Sequence, residues 1–363
     1  MKKFTAAAAA LLTSTALAHA GGLDRSGQGV GIIFKDGNYA QLSFGNVNPS
    51  VSGTYPVVGG GGASGDMAPS YNQLGGGVKF QFNDALSMSL IYDQPWGADV
   101  DYSNSTNPLT ANSTVSLQSR GLTALARYEL GDNFSIYGGL RQNTLTDLSV
   151  SLGANPVIPA GAYTATGAQS SAIGYVIGGA YEIPDIALRV ALTYSSETNH
   201  DIVVTESGAG TSTTQVTLPK SINLDFQTGI AADTLLTAGV RYVNWTATVI
   251  DPAGHRAQRG SALQSYSEDV YTFSLGLGRR FSDAFAASAT LGWERPQGGT
   301  SSNLSPTDGN VSLSLGASYT MDNMEISGGV RYVKIGDATT TGTLGDFTNN
   351  SALGLGVQVG FSF

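Results

Sequence analysis

Between Gln73 and Tyr92 the chain alternates with a period of two, a pattern that gives a strand two different faces and that an α-helix cannot use. Leu74, Gly76, Val78, Phe80 and Phe82 fall on one face, with Gln73, Gly75, Gly77, Lys79, Gln81 and Asn83 on the other. Asn83-Asp84 then supplies a turn, and Leu86, Met88, Leu90 and Tyr92 alternate with Ser87, Ser89 and Asp93. The pattern predicts an antiparallel hairpin. Its second strand runs into Pro95-Trp96-Gly97, where the proline withholds a ladder donor and the glycine relaxes the backbone, so pairing is expected to break there.

The same grammar recurs to the end of the chain. Tyr39 to Asn48 is the first strand, with Ala40, Leu42 and Phe44 on one face. Further tight turns are expected at Gly131-Asp132-Asn133, Pro184-Asp185, Ala232-Asp233, Ser282-Asp283 and Asp322-Asn323. Long loops are expected at Pro49 to Asn72, Ala98 to Ser113, Asn143 to Ser171, Ser196 to Lys220, Thr246 to Glu268, Pro296 to Gly309 and Asp337 to Asn350. Six tight turns alternating with seven long loops give fourteen strands, with all short connections on one side. That asymmetry belongs to outer-membrane barrels, whose outward rows touch lipid. Such rows include Leu122, Ala124, Ala126 and Tyr128, and Leu313, Leu315, Ala317 and Tyr319. A soluble β-sandwich also alternates, but it is seldom built from so many strands with its long loops on one side.

The ends and the composition agree with this reading. Residues 1–20 carry Lys2 and Lys3, an apolar run and Ala18-His19-Ala20, the pattern of a cleavable secretory signal. Its dozen or so apolar residues fall short of the ~20 that a spanning helix needs. Without the two signal lysines, 16 Lys and Arg face 27 Asp and Glu, a net charge of −11 that disfavours a nucleic-acid partner. The absence of cysteine rules out a disulfide frame. Gly59-Gly60-Gly61-Gly62 lacks both a GK[ST] and a strand-loop-helix setting, so it reads as flexible loop, not as a phosphate cradle. The fold class is therefore all-β, a fourteen-stranded antiparallel transmembrane barrel over residues 39–363. A lumen of that width cannot be filled by the wall alone. The irregular, glycine-rich leader at 21–38 is expected to fold inward as a short plug.

Four stretches carry a more specific likeness: Ser43 to Gly53 (SFGNVNPSVSG), Asn83 to Tyr102 (NDALSMSLIYDQPWGADVDY), Leu218 to Trp245 and Asp269 to Pro296. With the plugged barrel, they make the chain resemble the FadL family of outer-membrane long-chain fatty acid and hydrocarbon transporters along nearly its whole mature length. The resemblance implies a third strand kinked inward, which opens the wall so that an apolar cargo leaves sideways into the membrane. Asp93, Gln94, Pro95, Trp96 and Gly97 occupy that position here. The chain departs from the family in its plug, which is short and lacks an Asn-Pro-Ala motif; Asn48-Pro49-Ser50 is the nearest match and falls on the first strand.

A fatty acid gains about 0.8 kcal/mol per buried methylene, so an apolar catch is expected among the loops. Tyr55, Val57, Val58, Leu109, Val157, Ile158 and Tyr163 are the candidates, against the alternative that these residues pack on one another. Gly139-Leu140-Arg141, Gly239-Val240-Arg241 and Gly329-Val330-Arg331 place three arginines inward at similar height. They are candidates to hold a carboxylate, or else form a structural ladder with Asp225, Glu182, Glu294 or Glu325. The mature chain has only His200 and His255, both placed in loops, and no Ser-His-acid spacing, so no enzyme is expected. Asp201 with Glu206, or Asp251 with His255, makes no recognised metal set, and no cofactor is expected. The expected partners are a fatty acid-like hydrophobic molecule, outer-membrane lipid and lipopolysaccharide, and the barrel assembly machinery, whose signal the terminal Phe363 resembles. A monomer in the bacterial outer membrane is expected. The rival reading is a general diffusion porin for hydrophilic solutes.

Overall fold

The structure, a computed structural model, describes residues 23–154 and 161–363. The expected secretory signal at 1–20, and Val157 and Ile158 of the expected catch, lie outside the described residues. Fourteen antiparallel strands close into a barrel, four of them in two segments each. In chain order they are β1 (Tyr39–Ser50), β2 (Tyr71–Gln81), β3 (Leu86–Asp93, then Gly97–Asp101), β4 (Thr114–Leu130) and β5 (Phe134–Leu152). There follow β6 (Tyr163–Gly167, then Ser170–Ile183), β7 (Leu188–Ser195, then Thr198–Glu206) and β8 (Gly210–Leu218, then Ser221–Ala231). The circuit is completed by β9 (Thr234–Val243), β10 (Val270–Arg280), β11 (Phe285–Glu294), β12 (Asn310–Met321), β13 (Met324–Ile335) and β14 (Ser351–Ser362). β14 closes on β1 in a continuous register from Tyr39↔Ser362 to Ser50↔Ser351.

Alternation decides which side of the wall each residue meets. Leu140 is 60% exposed while its neighbour Arg141 is 2% exposed. The outward rows are apolar around the circuit, with Leu192, Leu275, Leu291, Leu315 and Leu355 all exposed. Water would leave this belt unsatisfied, and lipid suits it, since closure pairs the strand edges within the protein. All six tight turns fall where the sequence places them. Asp233 and Asp322 adopt left-handed backbone there (φ 56° and 49°), a conformation that aspartate tolerates better than most residues.

The long connections differ from expectation on one side of the barrel. Asn143 to Ser171 and Ser196 to Lys220 were expected to be loops, yet strands continue through most of both. β5 to β8 rise beyond the apolar belt as a four-stranded wall. The reason lies in a polar version of the same alternation: Thr198, His200, Ile202, Val204 and Glu206 are buried, while Asn199, Asp201, Val203 and Thr205 are exposed. Hydroxylated and β-branched residues fit a pleated surface without being greasy. Ala98 to Asp101 likewise belongs to β3. The connection after β9 carries α1 (Ala253–Arg259). Both histidines are thus buried in regular structure, His200 on β7 and His255 in α1. The tetraglycine is an ordered turn, pinned by Asn107 Nδ2 donating to the carbonyls of Gly59 (2.8 Å) and Gly61 (2.7 Å).

Inside the barrel, the plug segment from Leu23 to Asn38 packs on one half of the wall. Ile32 and Ile33 meet Ile91, Leu125 and Val176 in a buried apolar cluster. The guanidinium groups of Arg127 and Arg189 lie over the Phe34 ring at 4.9 and 4.4 Å. On the other half the plug touches β8 and β9, through Gln28 with Ser221, Gly27 with Asn223 and Asp24 with Arg241, and leaves a space along the wall from β8 to β13. The resulting chamber encloses about 1480 Å³, partly open to solvent, and is walled mainly by Gly, Ser and Thr.

Candidate functional site

The wall comes apart between β2 and β3, where the proline predicts. β2 and β3 pair from Gln81↔Ser87 up to Gly76↔Tyr92, and there the ladder stops. Above that point β2 remains paired only to β1. Beyond Gly97, β3 pairs only with β4. The side chain of Gln94 partly bridges the break, its Oε1 accepting from the Leu74 amide at 2.7 Å. Ser119 on β4 holds the bend, its Oγ donating to the Trp96 carbonyl (2.6 Å) and accepting from the Trp96 amide (2.9 Å). Gly121 makes room for it: a Cβ there would lie 2.4 Å from Asp93 Oδ1.

The plug takes over part of the pairing that β2 gives up. The Arg25 amide donates to the Pro95 carbonyl and the Gly97 amide to the Leu23 carbonyl, each at 2.8 Å, so Leu23 to Arg25 forms a short antiparallel bridge with the bend. Proline has no donor to offer, but its carbonyl remains usable. Ser26 Oγ donates to Asp93 at 2.7 Å. Trp96 turns inward, 1% exposed, and meets Trp245 edge-on at 5.3 Å.

Two concavities meet at this bend. One, of about 780 Å³, opens inside the upper barrel and is walled by Val47, Val51, Met67, Val100, Val333 and Ile335, with Asp24, Arg25 and Asp99 also in its lining. The other, of about 910 Å³, is shallower and lies between the free edge of β2 (Tyr71, Asn72) and β4 (Ser116, Gln118). Tyr71, Asp99 and Val100 line both. The charges here are mutually satisfied. Arg25 meets Asp99 at 2.8 Å, donates to Gln118 Oε1 at 3.1 Å and lies over the Tyr71 ring at 4.0 Å. Asp99 also accepts from Ser116 Oγ (3.0 Å) and from Gln118 Nε2.

The three arginines of the repeated phrase all point inward and are buried, but they meet different partners. Arg241 pairs with Asp24 of the plug at 2.6 Å and donates to Asn223 at 2.8 Å. Its partner is none of the four acids expected for a ladder. Arg141 donates to Thr123 at 2.6 Å and Ser195 at 3.5 Å, and Arg331 to Ser312 at 2.8 Å. Two of those acids pair elsewhere, Glu182 with Arg127 and Glu325 with Lys35.

The candidate catch residues are dispersed. Tyr55 is buried against the Phe347 ring, and Tyr163 is buried on β6 with its hydroxyl donating to Glu206 at 2.7 Å. Leu109 is half-buried. Val57 and Val58 stand out at the tip of the first long connection, 93% and 83% exposed. Sequence reasoning missed Asp24, Arg25 and Asp99. The first two are adjacent opposite charges in a leader with only one other such pair, Lys35 and Asp36, which was a usable signal.

Among solved structures, the chain is similar to a Pseudomonas aeruginosa FadL homologue, at 14% identity over 91% of each chain with a TM-score of 0.68. The Pseudomonas putida toluene transporter TodX matches at 13% identity over 98% of each chain, TM-score 0.65. The fold is that of the FadL-type barrels. The Ralstonia pickettii toluene transporter TbuX has the same FadL-type fold, at 13% identity over 91% of this chain and 90% of its own, TM-score 0.62. No family model and no curated protein sequence matches the chain. The FadL-type resemblance read from the sequence thus holds at the level of the fold.

Proposed function

We propose that the chain belongs to the FadL family and carries hydrophobic molecules across the bacterial outer membrane. Cargo enters the apolar pocket above the plug and leaves sideways through the break between β2 and β3. One observation carries this reading: the pocket and the opening share Tyr71, Asp99 and Val100, so the way from one to the other is short. A hydrophobic molecule has a reason to take it. Each buried methylene contributes about 0.8 kcal/mol, whereas a water-filled bore offers such a molecule nothing. Sideways release delivers it into lipid without crossing water. The exposed Val57 and Val58 extend apolar surface outward, where lipopolysaccharide would otherwise repel such a molecule.

The test is uptake by cells of a labelled hydrophobic compound such as toluene. Replacing Pro95 and Gly97 by valine favours continuous pairing of β3 with β2, and Ser116→Trp fills the opening from β4 without altering the bend. Both variants should assemble with the heat-dependent gel mobility of a closed barrel, and both should lose uptake. Undiminished uptake by correctly assembled variants would remove the lateral route.

The chamber beside the plug, with Arg189, Asp225, Arg241 and Arg331 in its lining, favours a second reading, a channel for hydrophilic solutes. Planar-bilayer recordings separate the two. Steady, large ion currents favour the hydrophilic channel, and negligible current together with toluene uptake favours the transporter.

A further inference from the structure

We infer that Asp99 sets the charge preference of the upper pocket: it neutralises Arg25, and the pocket therefore takes uncharged hydrophobic molecules in preference to carboxylates. The inference rests on the pocket being the entry site proposed above. Three charged residues line that pocket, Asp24, Arg25 and Asp99. Asp24 is engaged by Arg241 at 2.6 Å, and Arg25 by Asp99 at 2.8 Å. The guanidinium of Arg25 is further occupied by Gln118 and covered by the Tyr71 ring. No cation in the lining is left to receive an anion.

A carboxylate entering here would lose its water, find only engaged donors and face two aspartates. Burial of an unpaired charge is strongly unfavourable, and like charges add to it. The inward arginines do not change this balance. Arg141 and Arg331 are not part of the pocket lining, and Arg331 lines the chamber beside the plug instead. A neutral molecule of the same shape meets Val47, Val51, Met67 and Ile335 without that penalty. The molecular basis of choice is therefore one residue on the bent strand, set where pocket and opening meet.

Full-length protein in lipid nanodiscs is titrated calorimetrically with toluene and with benzoate at pH 7.5. The wild type should bind toluene more tightly than benzoate. Asp99→Asn keeps the shape and the Ser116 contact but frees Arg25, and should raise the benzoate-to-toluene affinity ratio at least about tenfold, the worth of one charge-assisted hydrogen bond. Adding Arg25→Gln to that variant should return the ratio to its starting value, which general loosening of the pocket would not do. Asp99→Ser, a shorter neutral replacement, serves the same purpose should the asparagine variant fail to assemble. Wild-type toluene binding with a ratio unmoved by either neutral replacement overturns the role of Asp99 and leaves the pocket standing. Equal wild-type affinity for both ligands overturns it as well. A wild type that binds neither ligand overturns the pocket and the inference together.

Discussion

The Arg241 guanidinium meets the Asp24 carboxylate at 2.6 Å, joining β9 to the plug across 217 residues of chain. Both side chains are buried, 8% and 4% exposed, so neither has water to fall back on. Removing one partner strands the other charge, which in buried pairs costs about 3–5 kcal/mol. Asp24→Ala should therefore detach the start of the plug while the barrel stays closed. Hydrogen exchange at the Arg25 and Gly97 amides, which bridge plug and bend, should accelerate; unchanged protection would show that the pair is not what holds the plug. A double neutral variant, Asp24→Asn with Arg241→Gln, should recover much of the protection.

The bend itself depends on Trp96. Its ring is fully enclosed against Trp245, and truncation of a buried tryptophan costs about 3–5 kcal/mol. Trp96→Ala should lower the temperature at which the folded gel form is lost, and more so than Trp293→Ala, whose ring faces outward and is 45% exposed. Equal effects would argue against a packed bend.

Close approach of strands fixes Gly139 on β5. A Cβ there would lie 1.8 Å from the Ala124 carbonyl oxygen, a backbone atom that no rotamer change can move aside. Gly139→Val should cost about 1–3 kcal/mol or more and reduce the fraction of protein that reaches the closed form. Gly179→Val is the control, since its Cβ would meet nothing closer than 3.5 Å.

Acid should loosen the loop above the barrel. Burial holds the His255 imidazole below its usual 6.5, so the folded loop prefers it neutral. Burial acts against the Glu206 carboxylate, but hydrogen bonds from Tyr163, Gly254, His255 and Ser212 together outweigh it and hold Glu206 below its usual 4.5. Both folded values lie beneath the unfolded ones, so the released loop binds more protons as pH falls. The stability they contribute is therefore present at neutral pH. The histidine share declines below about 6.5 and the glutamate share below about 4.5, each as pH falls toward its folded value. The Gly254 and His255 amides, which donate to Glu206 at 3.0 and 2.9 Å, should exchange faster at pH 5 than at pH 7 after correction for intrinsic rates. His255→Gln should flatten the upper part of that response.

The barrel was legible because its signal is local and repeated. Each strand declares its faces within ten residues, and turns such as Ala232-Asp233 need no distant partner to form. Pro95 marked the break for the same reason, by lacking a donor. The raised strands over Ser196 to Lys220 escaped because their alternation is written in Thr, Ser and Val, without the greasy outward row that lipid requires. The partner of Arg241 escaped for a different reason. Several acids could face an inward arginine, and only the path of the plug decides that Asp24 does. Pairings that depend on where an irregular segment comes to rest carry no periodic trace.

The junction of β1 with β14 has a consequence for the order in which the molecule is made. Phe363 donates its amide to the Asn38 carbonyl, so the residue just after β14 grips the one just before β1. The segment held within the bore hangs from that same first strand and is fastened to β3 and β9 by Arg25 and Asp24. The cylinder can lock only once its final stave exists, and its inner occupant has to be indoors, or be drawn through the mouth, when the door shuts. A chain shortened by its closing strand would present two raw edges, on β1 and β13.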